Sequence, residues 1–393
     1  MEKYDVVIVG AGPAGGACAI ALARQNLKVA LLEKRSLPGA KACGEGILPP
    51  GVHHLRDLGI LKYINTDECR PIKGIRYTIN NLSADATFSE GLGLGINRLI
   101  LSKAILNTLK EYPNIKLIET EFNNYTHPLV HFGKAKSQSI KTDFLVGADG
   151  LRSTVRKSLS LKLKKPFFKR WAMTGHFAIE PWSPLVEIYL NHHIEAYITP
   201  TGPNEINVVL MWAPDDLPPV KGPELFFSLL KYFPDLYNRL KNHSLSHKAH
   251  AIGPFQHRPT KLFSSNHAAL IGDAAGYIDP LSGEGINLGL YSGRLLAEVI
   301  GHNLKTKQAL RAADLKHFQE KFLKHAAPHA LLTYSLLYLQ RQPRIFEKVV
   351  KYLDQHPRIL RTLMSTSMGN PPRWLKPLEL YELISKWQYS AKP

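Results

Sequence analysis

Tyr4-Asp5-Val6-Val7-Ile8-Val9 runs without a break into Gly10-Ala11-Gly12-Pro13-Ala14-Gly15, and the order of these residues decides the fold. The β-branched run reads as a buried strand, and the GxGxxG spacing closes a turn. Ala14 to Arg24 follows with a helical pattern, and Lys28 to Leu32 is a second β-run ending in Glu33 and Lys34. Each glycine has its own task in such a turn. Gly10 permits the tight reversal, and Gly12, ahead of Pro13 and Ala14, lets a pyrophosphate approach the backbone. Gly15 lets helix and strand pack closely. The helix N-terminus then faces the negative charge. Glu33 would accept hydrogen bonds from an adenosine ribose and repel a 2′-phosphate, with Lys34 beside it. Strand, turn, helix, strand and acid in that order predict a dinucleotide site, though the turn alone does not tell FAD from NAD.

The chain has 393 residues, 44% of them hydrophobic, which suits two interleaved domains. Three cysteines, Cys18, Cys43 and Cys69, exclude a disulfide scaffold and lead us to expect a reducing, cytoplasmic setting. Val6 to Ala23 is almost uncharged and imitates a membrane segment, but its glycines and Pro13 break it, and no spanning helix is expected. The formal charge of +18 is unevenly spread. Residues 150–179 carry 8 basic side chains and no acidic one, and residues 301–393 carry 16 and 6. A localised basic surface suggests an anionic partner: membrane lipid or an acidic substrate, with nucleic acid disfavoured.

Two later segments separate FAD from NAD. Phe144-Leu145-Val146-Gly147-Ala148-Asp149-Gly150 is a strand entering an Asp-Gly turn. Ala268-Ala269-Leu270-Ile271-Gly272-Asp273 is a strand ending in Gly-Asp, and it leads to Pro280-Leu281-Ser282-Gly283-Glu284-Gly285-Ile286-Asn287. Together with the N-terminal turn these resemble the FAD-dependent monooxygenase and geranylgeranyl reductase superfamily, the p-hydroxybenzoate hydroxylase-like fold. The resemblance implies non-covalent FAD, with Asp273 on the ribityl chain and Asp149-Gly150 supporting the cofactor. Arg98, at the start of a helix-like run, resembles the family's FAD-contacting arginine. A surface arginine capping its own helix gives the same pattern. Backbone N–H groups at Gly283, Gly285, Ile286 and Asn287 would face the charge of a reduced flavin. With no second GxGxxG module, NAD(P)H would bind transiently or electrons would come from a donor protein.

Lys41-Ala42-Cys43-Gly44-Glu45-Gly46-Ile47 is similar to the Cys-Gly-(Gly/Glu)-Gly segment of geranylgeranyl reductases, a loop that passes the flavin ring. That likeness favours hydride transfer to a double bond of a small hydrophobic, isoprenoid-like substrate. Cys43 or a water would supply the proton, and Glu45 would act as a general acid or fix the loop. The family's Tyr-x-Trp-x-Phe-Pro substrate strand is nearly lost, since Glu195-Ala196-Tyr197-Ile198-Thr199-Pro200 keeps only the proline. Tyr197 and Trp212 are the substrate-facing candidates; large aromatics are as readily core residues. A monooxygenase using NAD(P)H and oxygen is the alternative, and a flavin-switched lipid- or RNA-binding protein is another. Halogenation is disfavoured, because Trp171, Trp182, Trp212, Trp374 and Trp387 never form the halogenases' Trp-x-Trp segment.

The expected class is α/β: a discontinuous Rossmann-like FAD-binding domain, an inserted antiparallel-sheet substrate domain and a C-terminal helical region. The expected FAD-binding pieces are 1–75, 97–165 and 251–304, with substrate pieces 76–96 and 166–250 and helices over 305–393. One helical stretch is expected near Glu224–Leu240. Residues 326–363 mix leucine, tyrosine and Arg/Lys, as does an amphipathic element lying on an anionic membrane or packing on the sheet. No metal site is expected: His192-His193, His243, His247 and His250 lack acids at ligand spacing.

Overall fold

A computed structural model describes residues 1–39, 41, 43–134, 138–164, 169–191, 194–213, 224–255, 258–259 and 261–370. Two large sheets carry most of the strands among the described residues. The inner, eight-stranded sheet runs in the order Phe263–Ser264, Ala268–Leu270, Gln138–Gly147, Lys3–Val9, Val29–Glu33, Ile115–Glu119; Leu129–Phe132 also pairs with Gln138–Gly147 and continues to Phe122–Thr126. Its central strands are parallel, with Val6 opposite Val29 on one side and Phe144 on the other. Parallel strands have both faces covered, which is why Val6, Val7, Ile8, Leu31 and Leu145 are all apolar and fully buried. Each contributes roughly 1.5–3 kcal/mol by leaving water. Helices Pro13–Ala23, Arg98–Leu109 and Gly285–Lys305 belong to the same apolar core. The fold class is therefore the expected α/β one.

The outer, seven-stranded sheet runs His250–Ile252, Trp171–Phe177, Glu205–Trp212, Ile194–Gly202, Leu185–Leu190, Gly74–Ile79, Leu82–Thr87. It is antiparallel with one exception: Leu185–Leu190 lies parallel to Gly74–Ile79. An antiparallel pair can be closed by a short turn, but these two strands are far apart in sequence and join from separate segments. The strand Trp171–Phe177 was not anticipated from sequence. The expected single helix near 224–240 is two, Leu225–Leu230 and Pro234–Leu240. Pro234 lacks a backbone N–H, so it opens the second helix rather than continuing the first.

This outer sheet has two different faces. Ala172, Val186, Ile188, Tyr197, Val209 and Met211 point inward to one apolar cluster. Met173, Phe177, Ala196, Val208 and Leu210 point outward to another, covered by the two short helices. Helices Ala312–Gln340, Pro343–Gln355 and Pro357–Ser367 close the inward cluster, with Leu337, Phe346, Val350, Leu360 and Met364 buried in it. Pro343 and Pro357 each start a helix, whereas Pro328 sits inside one. Pro371, Pro372, Trp374 and Trp387 lie outside the described residues, as do His192 and His193. No helix among the described residues is long and apolar enough to cross a membrane.

Three histidines make stability depend on acid. Burial pushes His54, His325 and His329 each down to about 4. Arg294 Nη1 donates to His54 Nδ1 at 2.6 Å, and the rings of Tyr291 and His325 stack at 3.8 Å. An unfolded histidine titrates near 6.5, so between about 6.5 and 4 the unfolded chain binds more protons than the folded one. Stability is therefore expected to fall as pH drops through that window. Melting temperatures across pH 7.5 to 4 check this; His329→Gln should flatten the slope, and an unchanged slope would refute the assignment.

Candidate functional site

One cavity of about 1400 Å³, counting its open mouth, lies between the sheets, and its lining changes from polar to apolar along its length. At the polar end stand Gly12, Pro13, Ala14, Arg98, Gly150 and Asp273, with Gly272, Pro280, Gly283, Gly285 and Ile286 on the facing loop. Residues from distant parts of the sequence thus meet at one groove.

The glycine turn has three distinct constraints. Gly10 has φ +104°, a conformation L side chains rarely adopt. A Cβ on Gly15 would sit 1.8 Å from the Gly10 carbonyl oxygen, whereas a Cβ on Gly12 would meet nothing within 4 Å and project into open space. Glu33 accepts from Ala11 N at 2.9 Å and Arg35 N at 3.1 Å, so its carboxylate braces the turn from the strand end. Lys34 is exposed and does not line the cavity.

Asp149 is occupied by its own helix. Its carboxylate accepts from Ser153 Oγ at 2.5 Å and from the backbone N–H groups of Thr154 and Val155 at 2.6 and 3.1 Å. This fixes the turn that presents Gly150. Asp273 pairs with Lys41 Nζ at 3.0 Å. Asn287 lies buried beneath the loop and donates to Glu284 Oε2 at 2.7 Å; burial pushes the Glu284 carboxyl up to about 8, against that hydrogen bond. Arg98 opens its helix but does not cap it: Asn97 does, accepting from Leu99 N. The guanidinium is buried, and its Nε and Nη1 have no hydrogen-bond partner among the described residues. Buried donors without acceptors cost about 1–3 kcal/mol each, and an anionic ligand in the groove would supply the acceptors. The space before Gly12 and the orphaned Arg98 donors together fit FAD.

Along the cavity the loop 43–46 leads into the short strand Gly46–Ile47, which pairs with Gly93–Ile96 in a small three-stranded sheet. The Cys43 carbonyl accepts from Asn207 Nδ2 at 2.7 Å and Thr174 Oγ1 at 3.5 Å, and Cys43 Sγ accepts from Glu45 N at 3.4 Å. Burial pushes the Cys43 thiol up, so it stays protonated at neutral pH and is a poor nucleophile. Glu45, at φ +59°, accepts from Arg98 N at 2.9 Å, and its other oxygen lies 2.7 Å from His176 Nε2. Burial alone would push His176 down, but the hydrogen bond and charge of Glu45, with Glu205 adding, raise it overall. Glu45, His176 and Glu205 are also the described residues whose ligand-type atoms come within 4.8 Å of one another. Their oxygens already accept from Arg98 N, Asn97 Nδ2 and Thr201 Oγ1, and we assign no metal. His243, His247 and His250 are exposed.

The far end is apolar, walled by Ile75, Val186, Ile188, Val209, Phe255 and Leu281. Tyr197 lines it, and its hydroxyl donates to Glu195. Trp212 does not reach it. Side chains alternate along a strand, so with Val209 facing the cavity, Trp212 packs among the outward cluster on the other face. Beneath Tyr197 lies a buried ion cluster that sequence reading missed: Arg170 Nη2 is 2.6 Å from Glu195 and Nη1 is 3.5 Å from Asp279. Burial pushes Asp279 up to about 7 against the pull of Arg170. The only sequence signal for Arg170, Thr174 and His176 was their alternation on an unrecognised strand and its approach.

Comparison with known proteins follows the same outline. Residues 3–314 match a family model described as an FAD binding domain. The menaquinone reductase of Mycobacterium tuberculosis (strain ATCC 25618 / H37Rv) is 26% identical over 332 residues, 76% of this chain and 77% of that protein. The chloroplastic geranylgeranyl diphosphate reductase of Arabidopsis thaliana is 28% identical over 355 residues, 83% and 72% of the two chains. Among solved structures, the flavin-dependent brominase Bmp2 superposes with a TM-score of 0.83 at 19% identity, covering 98% of this chain and 99% of its own, a likeness of fold.

Proposed function

The chain belongs to the FAD-binding-domain family and is an FAD-dependent oxidoreductase, and from that premise we propose that it reduces carbon–carbon double bonds of a hydrophobic, isoprenoid-like substrate. The observation that carries this reading is one continuous cavity in which the nucleotide groove opens directly into an apolar compartment. Two reductase relatives named for menaquinone and geranylgeranyl diphosphate support the substrate class. Bound FAD, reduced by NAD(P)H or a donor protein, supplies the hydride.

The residues of this chain do the rest. Gly12 and Arg98 seat the anionic part of the cofactor, and the apolar wall from Ile75 to Phe255 excludes water and positions an alkene. A hydride alone leaves a carbanion, so one proton must arrive at the neighbouring carbon. The Glu45–His176 pair can hold it beside the cavity, and the protonated Cys43 thiol or a water can pass it on. The product then differs from the substrate by two hydrogens.

Anaerobic incubation of the reduced protein with geranylgeranyl lipids or a polyprenyl quinone, followed by mass spectrometry, tests the proposal. A gain of two hydrogens is expected. A gain of one oxygen, only in air and with NAD(P)H, would instead make the protein a monooxygenase. Glu45→Gln keeps the acceptor for Arg98 N but removes the charge that raises His176. We expect kcat to fall about 10²-fold with flavin content unchanged. Activity needs the protonated pair, so it is lost as pH rises through the His176 pKa, and in the variant that loss should come at lower pH. An unshifted pH profile would remove the pair from the mechanism.

A further inference from the structure

The C-terminal helices that pack on the inward apolar cluster of the outer sheet have an outer face unlike an ordinary solvated one. Tyr338, Ile345 and Tyr352 are 66%, 52% and 51% exposed, and Ile359 and Leu363 are exposed with them. Ile345, Lys348 and Tyr352 share one side of Pro343–Gln355, at helical spacing i, i+3, i+7, while Phe346 and Val350 on the other side are buried. In Pro357–Ser367, Ile359 and Leu363 share the outer side with Arg358, and Leu360 and Met364 are buried. Arg344 and Lys351 flank the first stripe.

We propose that this face docks on an anionic lipid surface, Ile345, Tyr352, Ile359 and Leu363 entering the headgroup boundary while Arg344, Lys348, Lys351 and Arg358 contact lipid phosphates. Charge decides between occupants. A second copy seated on the same patch would bring these cations against their own equivalents, a like-charge contact that costs affinity. An anionic membrane neutralises them, and isolated aliphatic and tyrosine side chains spaced between cations suit shallow insertion rather than a continuous apolar interface. The excess of 16 basic over 6 acidic residues in 301–393 lies in the same part of the chain.

The inner sides of the same helices bury Phe346, Val350, Leu360 and Met364 in the apolar cluster shared with Ile75, Ile188 and Tyr197, and these three in turn wall the compartment. A docked protein would therefore hold its apolar chamber next to the phase where a hydrophobic substrate dissolves. Only this last consequence rests on the reductase reading; lipid docking does not.

Vesicle co-sedimentation of the full, flavin-loaded chain tests the proposal without any turnover, so its failure and that of the reductase reading are separate results. We expect the protein to pellet with phosphatidylglycerol vesicles, to bind phosphatidylcholine vesicles at least tenfold more weakly, and to be released by salt. Arg344→Gln, Lys348→Gln and Lys351→Gln combined should weaken binding about a hundredfold, roughly fivefold per charge. Ile345→Ser, Tyr352→Ser and Leu363→Ser combined should weaken it at least tenfold, with flavin content reporting an intact fold. Binding unchanged in either combination, or absent from phosphatidylglycerol, would overturn the proposal. So would light scattering that shows a dimer dissociated by these substitutions, which would give the face to a second copy.

Discussion

Gly12→Val is expected to give a folded, colourless protein. Gly12 has φ −72° and ψ −175°, extended backbone that valine adopts readily, and a Cβ there meets no protein atom. The backbone does not need glycine at this position. The space in front of it does, because an isopropyl group would occupy the approach of the cofactor pyrophosphate. Loss of FAD affinity should be at least about a hundredfold, or ~3 kcal/mol. The flavin absorbance of the purified variant and its circular dichroism measure the two halves of the claim. Gly15→Ala is the contrasting case. Its Cβ would stand 1.8 Å from a backbone oxygen, so strand and helix must separate and soluble yield should drop. A yellow Gly12→Val protein with normal flavin content would show that the pyrophosphate is held elsewhere.

Arg170→Met should be the most destabilising single change in the outer sheet. The guanidinium is the counter-charge of Glu195 and Asp279, and all three are at least 94% removed from solvent. Removing one member of a buried ion cluster costs about 3–5 kcal/mol, since it strands the remaining charge in a medium that solvates it poorly. The sign of the pH effect follows. Asp279 already sits near 7 through burial, and without Arg170 its carboxyl moves further above its unfolded value. A carboxyl raised on folding favours the folded state below its unfolded pKa and loses that advantage as pH rises through the folded one. The variant should thus be weaker at pH 8 than at pH 5, as urea denaturation at the two values would reveal. Arg170→Met with Glu195→Leu should recover part of the loss. A single variant within about 1 kcal/mol of the parent would mean that the cluster is already neutral.

The parts of this molecule that sequence made legible are those where chemistry constrains backbone. Gly10 and Gly15 are tied to a positive φ and a close carbonyl, and both constraints leave glycine as the residue that fits. Strands buried on both faces, such as the Val6–Val9 part of the first strand, read as continuous apolar runs. Legibility fails where partners are distant. Glu45 was visible in its loop, but His176 meets it from a strand whose mixed residues, Trp171 to Phe177, carry a weak period-two signal. Arg170, Glu195 and Asp279 come from three separate segments, and no local pattern announces an ion cluster assembled that way. Trp212 shows the cost of ignoring parity. A bulky aromatic near the end of a substrate-facing strand looked like lining, but the register with Val209 places it on the opposite face.

That alternation also shapes how the protein can change over time. On Glu205–Trp212, Val209 and Met211 face the chamber side while Val208 and Leu210 support the rear core. The sheet works as a partition between two inheritable properties. Substitutions at Val209 or Ile188 can reshape the chamber while the rear layer keeps the fold intact. Substitutions at Val208 or Leu210 alter persistence of the fold and leave ligand choice alone. A lineage built on this sheet can change the shape of its chamber without first having to rebuild its foundation, and a library confined to the chamber-side positions would sample the same freedom in the laboratory.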